Sequence, residues 1–348
     1  MSPFILATLV TALGTGTAIT LSSSHWLIAW MGLELNTLAI LPLMTRQARP
    51  RAVEATTKYF LIQAAAAATL LFAATTNAWI TGQWEIHQMT HPAPATIATL
   101  ALAMKVGLAP LHFWLPEVLQ GLDLTTGLIL STWQKLAPFA LLLQMPAHNS
   151  SLLIFLGLAS TLMGGWGGLN QTQLRKILAY SSVAHLGWMI LVLQFSPSLT
   201  FLTLILYFAM TFSTFIIFKV NKSMNINSLA TSWAKTPALT ALAPLVLLSL
   251  GGLPPLSGFM PKWLILQELT KQGLALTATI AALSALLSLY FYLRLSYAIS
   301  LTTFPNTPMG LSPWRLHTSQ GTLPLAISTT TALTLLPLTP LILALFGP

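Results

Sequence analysis

The sequence predicts an all-α, polytopic membrane protein, and three observations lead there. Of its 348 residues, 55% are hydrophobic and 6% charged, against roughly 25% charged in an ordinary soluble domain. Apolar runs of about 20 residues, the length that crosses a hydrocarbon core, recur from one end to the other. The few basic residues gather in particular loops between those runs. No water-soluble core absorbs so much apolar side chain, so the solvent of this chain is lipid.

Eleven spans are expected, at approximately 3–21, 25–45, 57–80, 95–118, 123–145, 150–169, 174–194, 198–219, 238–270, 274–300 and 323–346. The first could pass for a secretory signal. It lacks a basic stretch ahead of its apolar run, starts at Ser2-Pro3 and is followed directly by another span, so it reads as a retained helix. The second holds Glu34 in GLELNTLAI. The fourth holds Lys105 and His112 in AMKVGLAPLHFWLPE, and the fifth Lys135 in STWQKLAP. The sixth carries GGWGG at 164–168, which lacks the strand and following acidic residue of a cofactor fold; close helix packing explains it better. The seventh holds His185 in AYSSVAHLGWM, and the ninth Lys262 in GGLPPLSGFMPKW.

Connections are short and no linker or low-complexity tract intervenes, so residues 1–348 read as one membrane domain. The absence of cysteine excludes disulfides, thiolate zinc sites and Cys-ligated iron–sulfur clusters. The net charge of +9 is not a nucleic-acid signature, because the basic residues mark loops. Arg46, Arg49, Arg51 and Lys58 follow the second span; later loops carry Arg175 and Lys176, then Lys219, Lys222 and Lys235, then Arg315. With eleven spans all four loops fall on one side. The N-terminus shares that side and the C-terminus lies opposite, where little beyond Lys271 is basic.

One stretch recurs. GLAPLHFWLPE from Gly107 aligns with GLPPLSGFMPK from Gly252, an offset of 145 (252 − 107). Five spans fit in that offset, and an odd number makes the second copy enter the membrane from the other side. The expected architecture is therefore a five-helix repeat over 3–145, an inverted one over 150–300, and one further helix at 323–346. Each copy interrupts a span with Gly and Pro, at Gly107 and Pro110 and at Gly252 and Pro255; the prolines lack an N–H and clash with the preceding turn, so the helix should kink or break there. Proline kinks are often harmless. Paired breaks in inverted halves, each with an ionisable residue close by, instead point to an ion site near the midplane.

Glu34, Lys105, Lys135 and Lys262 lie away from the ends of their spans, with Glu117 and Asp123 nearer an interface. A charge at the bilayer centre costs at least ~2.5–3.5 kcal/mol, which a purely structural protein would avoid. Snorkelling, the bland alternative, suits Lys262 best, whereas Lys105 and Lys135 sit about ten residues from the nearest span end. His112 follows Lys105 by seven positions and would share its face on an unbroken helix. His112 and His185 could equally be hydrogen-bonded packing residues. With His25 at an edge and no paired spacing, haem ligation is disfavoured. Phosphate loop, dinucleotide fingerprint, zinc motif and nucleophile triad are all missing, so no cofactor or metal site is expected in this chain.

GLELNTLAI at 32, KVGLAPLHFWLPE at 105, STWQKLAP at 131, LRKILAYSSVAHLGW at 174 and GGLPPLSGFMPKW at 251 together resemble the subunit 2 family of mitochondrial NADH:ubiquinone oxidoreductase, respiratory complex I. More distantly the chain is similar to subunits of multisubunit cation/proton antiporters. The resemblance implies proton translocation along a central line of buried charges, driven by quinone reduction elsewhere in the complex. It assigns Glu34, Lys105, Lys135 and Lys262 to that line, places His185 between central and terminal lysines, and offers His112 as a further relay member. It implies NADH, FMN, iron–sulfur clusters and ubiquinone in partner subunits. The implied partners are other membrane-arm subunits, antiporter-like ones included, and membrane lipids such as cardiolipin. The implied location is the mitochondrial inner membrane, with the N-terminus on the matrix side and the C-terminus on the intermembrane-space side. Bacterial relatives carry additional helices ahead of the first span, so the chain looks like the animal mitochondrial form.

An ion pair at about 4 Å in an effective dielectric near 20 is worth ~4 kcal/mol. Making or breaking a pair between Glu34 and Lys105 could therefore move a proton along the three lysines. Two other classes compete with a pump subunit. A free-standing cation/proton antiporter would exchange Na⁺ or K⁺ for H⁺ on its own, and an inert scaffold would tolerate neutral replacement of the lysines.

Overall fold

A computed structural model describes residues 2–46, 49–146, 150–234, 236–301 and 322–339. Among them every extended regular element is helical, apart from isolated bridges at His25–Glu85 and Gln173–Asn225. The chain forms two compact units, Met1–Leu156 and Gly157–Pro348. The first unit contains α1 (Pro3–Ser22), α2 (Trp26–Met44), α3 (Pro50–Thr81), α4 (Pro92–Val106), α5 (Trp114–Gly121), α6 (Leu124–Ser131) and α7 (Trp133–Gln144). The unit boundary falls inside α8 (Ser150–Gly168). Then come α9 (Leu174–Val192), α10 (Pro197–Val220), α11 (Ile226–Ala230), α12 (Pro237–Gly251), α13 (Phe259–Lys271), α14 (Ala275–Ser300) and α15 (Thr322–Thr334).

Sequence punctuation sets these ends. Proline occupies the first turn of α1, α3, α4, α10 and α12, where its missing N–H has no intrahelical partner to lose. Among the described residues six helices, α1, α2, α3, α8, α10 and α14, are long and apolar enough to cross a membrane. Helices α4 and α12 are shorter apolar helices, because the expected spans 95–118 and 238–270 are each divided in two. Helix α9 matches the expected 174–194 closely. The last expected span is described only as far as Thr339, and Lys235 and Arg315 of the basic loops lie outside the described residues. Arg51 and Lys58 belong to the opening turns of α3, not to the loop before it.

The two divisions share a local geometry. Helix α4 stops at Gly107 (φ 89°, ψ 44°) and α12 at Gly252 (φ 79°, ψ 40°), a left-handed conformation that glycine adopts without a Cβ penalty. In each, the next residue reaches back five positions: Leu108 N–H to Ala103 O at 2.9 Å, and Leu253 N–H to Leu248 O at 3.3 Å. Of the glycine and proline that the sequence marks in each copy, the helix ends at the glycine, three residues ahead of the proline. Both breaks carry a cis peptide, Ala109–Pro110 and Pro254–Pro255.

A third interruption was not expected. The span 123–145 is split at Thr132 (φ −112°, ψ −72°), whose hydroxyl donates to Leu128 O at 2.7 Å.

Polar and apolar residues are distributed as in a lipid-dissolved protein. Trp79 (91% exposed), Phe72, Leu61 and Trp166 face outward, while Asn36, Lys105 and Lys135 are buried. Serine and threonine hydroxyls donate to carbonyls three or four residues back on their own helices, as Thr20 does to Thr17 and Ser181 to Leu178, which satisfies them where no water reaches. In the first unit α1 packs on α2, α3 on α4 and α5, and α4 on α7. In the second α12 packs on α14 and α10, and α13 on α9, α10 and α14. The GGWGG run behaves as expected for packing. A Cβ on Gly164 would stand 2.5 Å from the Ala184 nitrogen of α9, one on Gly165 2.8 Å from Leu287 Cβ of α14, and Gly167 faces the Tyr180 ring.

Candidate functional site

The first unit encloses a cavity of about 20 Å³, enough for a water molecule. Its wall includes Lys105, Lys135, Asn36, Thr37, Tyr59 and Gln134. Two of the lysines picked from the sequence thus share one small interior space, although 30 residues (135 − 105) separate them in the chain. Each arrives through a helix end. Lys105 lies in the last turn of α4, 6% exposed, where the helix dipole favours a cation. Lys135 lies in the first turn of α7, just past the Thr132 interruption, 2% exposed.

Buried amides brace these elements. Gln63 Nε2 on α3 donates to the Lys105 carbonyl at 3.4 Å, and Gln134 Nε2 donates to the Asn36 carbonyl at 3.3 Å. Lys105 Nζ has no hydrogen-bond partner among the described residues.

Glu34 is half-buried on α2 and does not line the cavity. It makes no ion pair with Lys105 within 4.0 Å, although the two charges act on each other through the interior. Thr37, a residue of the cavity wall, donates its hydroxyl to Glu34 Oε2 at 3.2 Å and to the Glu34 carbonyl at 2.8 Å. His112 is buried, at 1% exposure, but sits in the break after α4. The shared face with Lys105 expected of an unbroken helix does not exist, because α4 ends at Val106, and His112 is not part of the cavity wall. Its ring is tilted by 32° to that of Phe113, with centroids 4.5 Å apart.

Glu117 and Asp123 both join ion pairs in the first unit. Glu117 Oε2 pairs with Lys58 at 2.9 Å and Asp123 with Arg49 at 3.6 Å, all partly exposed.

In the second unit Lys262 is 9% exposed and its Nζ donates to Gly251 O at 2.7 Å. That carbonyl is the last of α12, so the ammonium caps the broken helix. Gly252 makes room for it: a Cβ there would stand 2.8 Å from Lys262 Cδ and 2.9 Å from Nζ. The hydrogen bond holds the ammonium against the buried end of α12. Lys105 and Lys262 are therefore both ammonium groups at the C-terminal end of a broken helix, one from its own helix and one from the next. They are not equivalent in the repeat, since the offset of 145 maps Lys262 (262 − 145 = 117) onto Glu117. His185 on α9 is half-buried, its ring 5.5 Å from that of Tyr207 on α10.

Two kinds of residue escaped the sequence reading. Arg294 on α14 is a third-class charge that it overlooked; it donates from Nη1 to Leu169 O at 2.7 Å and closes the end of α8. The neutral polar wall of the cavity escaped because the search was for ionisable groups. Its signal was present: Asn36 follows Glu34 by two, and Gln134 precedes Lys135.

Comparison with known proteins bears on the family and the fold. A family described as NADH:quinone oxidoreductase/Mrp antiporter, transmembrane, matches residues 23–288, and one described as NADH dehydrogenase subunit 2 C-terminus matches 289–343. The chain is similar to NADH-ubiquinone oxidoreductase chain 2 of Tetraodon nigroviridis, 72% identical over 347 residues and covering 100% of both chains. It is 69% identical to the protein of that name from Salmo salar, over 99% of both. Among solved structures, a chain of respiratory complex I from Thermus thermophilus with bound aureothin superposes with a TM-score of 0.85 at 29% identity, covering 99% of this chain and 80% of that one. A chain of the Mrp complex from Dietzia shares the fold, at TM-score 0.82 and 18% identity, over 97% of this chain and 76% of that one.

Proposed function

The chain belongs to the NADH:quinone oxidoreductase/Mrp antiporter membrane family, among the NADH-ubiquinone oxidoreductase chain 2 proteins, and we propose that its buried lysines are the groups that carry protons. It is an antiporter-like, proton-translocating membrane subunit of the respiratory NADH:ubiquinone oxidoreductase. It acts as part of that enzyme, and the free-standing antiporter is not favoured, since full-length relatives are named as chains of the oxidoreductase.

The observation that carries the lysine reading is the joint burial of Lys105 and Lys135 on one water-sized cavity. Two like charges in a lipid-embedded interior repel each other and are poorly solvated, so a proton arriving at one favours its departure from the other. Glu34, reached from the cavity through Thr37, biases the Lys105 end. Lys262 serves the second unit, where the α12 carbonyl holds its ammonium, and His185 and His112 are the accessory relay candidates. Lys105→Met keeps the stem volume and removes the titrating group. It is expected to abolish most proton pumping and depress coupled quinone reduction in a complex that still assembles; normal pumping in the assembled variant would defeat the assignment.

The same reading extends to architecture and location. The paired breaks at Gly107 to Pro110 and Gly252 to Pro255 support two inverted five-helix repeats, 3–145 and 150–300, with eleven crossings including the C-terminal helix. The chain then sits in the mitochondrial inner membrane, with the basic loops and N-terminus on the matrix side. Its neighbours are other membrane-arm subunits and lipids such as cardiolipin, and NADH, FMN, iron–sulfur clusters and ubiquinone belong to partner subunits.

A further inference from the structure

We propose that Asn36 is a positioning residue for proton transfer in the first unit, its amide holding the water that links Lys105 and Lys135 across their shared cavity. The proposal rests on the lysine reading above and adds to it a residue that carries no proton itself.

Asn36 is 2% exposed and lines the cavity. Neither Oδ1 nor Nδ2 has a hydrogen-bond partner among the described residues. An unmatched amide in an apolar interior is destabilising, and a leucine of similar volume would avoid the penalty. The amide cannot easily swing away. It lies against α1 at the close crossing of α1 and α2, where a Cβ on Gly16 would come within 2.5 Å of Oδ1.

The second stranded group on the same wall is Lys105 Nζ. The amides nearby are already engaged, Gln134 with the Asn36 carbonyl and Gln63 with the Lys105 carbonyl. These bonds fix the two backbones and leave the Asn36 amide and the Lys105 ammonium facing an unfilled need. The cavity between them admits a water-sized molecule, and a buried water in such a place takes two to four polar partners. One water satisfies the amide and the ammonium together and stands next to Lys135.

The step balances without a further reagent. An N–H bond of the Lys105 ammonium breaks as its proton passes to the water oxygen. One O–H bond of that water breaks as its proton forms an N–H bond on the neutral Lys135 amine. The water is regenerated, the charge has moved from one lysine to the other, and the amide has kept the oxygen in place throughout.

The test uses the assembled complex in proteoliposomes, with protons pumped per quinone reduced measured across pH for wild type, Asn36→Leu, Asn36→Ser and Lys105→Met. Asn36→Leu is expected to lower the pumping ratio several-fold, and Asn36→Ser to recover most of it, because a hydroxyl still anchors water whereas a packing role would be served worse by the smaller side chain. Wild-type pumping in Asn36→Leu, or equal loss in both Asn36 variants, overturns the proposal while a deficient Lys105→Met leaves the lysine reading standing. Normal pumping in Lys105→Met overturns the lysine reading itself. Independently of how the variants fold, a structure of the wild-type complex that resolves ordered water should show one bonded to the Asn36 amide; a dry cavity there overturns the proposal.

Discussion

Gly252→Ala separates two energetic effects that coincide at one backbone position. Gly252 holds φ at 79°, and an L-residue in that region costs about 1–2 kcal/mol. The added Cβ would also stand 2.8 Å from Lys262 Cδ and 2.9 Å from Nζ, so the lysine stem must move and its 2.7 Å bond to Gly251 O is lost. A hydrogen bond to a charged group contributes about 1.5–3 kcal/mol. Gly273→Ala is the matched control in the same unit: its φ is 74° and nothing lies within 4 Å of the new Cβ. The control should therefore lose only the backbone contribution, and the difference between the variants should be about 1.5–3 kcal/mol, a factor of ten or more in the unfolding equilibrium. The measurement is reversible unfolding of the full chain in lipid bicelles, paired with proton pumping of the assembled complex. Gly252→Ala is expected to lower both, and Gly273→Ala to leave pumping intact. Equal destabilisation by the two variants would refute the claim that Gly252 exists to seat Lys262.

Gly164→Ala places a methyl 2.5 Å from the Ala184 nitrogen and 2.8 Å from its Cα, atoms that cannot rotate aside. Overpacking of this kind costs about 1–3 kcal/mol or more, and reduced assembly of the complex at elevated temperature is the expected readout; wild-type assembly would show that α8 and α9 can part without loss. Thr37→Val keeps the shape of the side chain and removes the hydroxyl that stands 3.2 Å from Glu34 Oε2. Proton pumping should fall with assembly unchanged, and unchanged pumping would show that Glu34 acts on the cavity without Thr37.

Much of the candidate site was legible in the chain because burying charge in lipid is so unfavourable that each instance stands out. Glu34, Lys105, Lys135 and Lys262 were found by that criterion, and all but Glu34 prove to be buried. The breaks at Gly107 and Gly252 were legible because glycine and proline punctuate a helix. Of the two residue types, the left-handed glycine is where each helix ends, and the proline follows three residues later. Thr132 was not legible, since a threonine in an apolar run gives no local reason to interrupt it. The neutral cavity wall of Asn36, Thr37 and Gln134 was marked only by its nearness in sequence to Glu34 and Lys135, because an amide or hydroxyl in a membrane helix is common and only its neighbours tell whether it is satisfied.

By itself the sequence determined the solvent, the helical class and which charges must be held away from lipid, since those follow from composition, run length and the cost of dehydrating an ion. Tertiary structure alone decided which of those charges meet. Lys105 and Lys135 come from separate helices, α4 and α7, and share a cavity only because both helices stop or start at the same place inside the first unit. A face shared by Lys105 and His112 would have needed an unbroken helix; α4 ends at Val106, and His112 lies beyond the break, outside the cavity wall. Lys262 finds its carbonyl 11 residues back because the break at Gly252 separates α12 from α13. Such contacts depend on the path of the chain through each break, and that path is fixed by backbone dihedrals and packing that no periodicity in the sequence encodes.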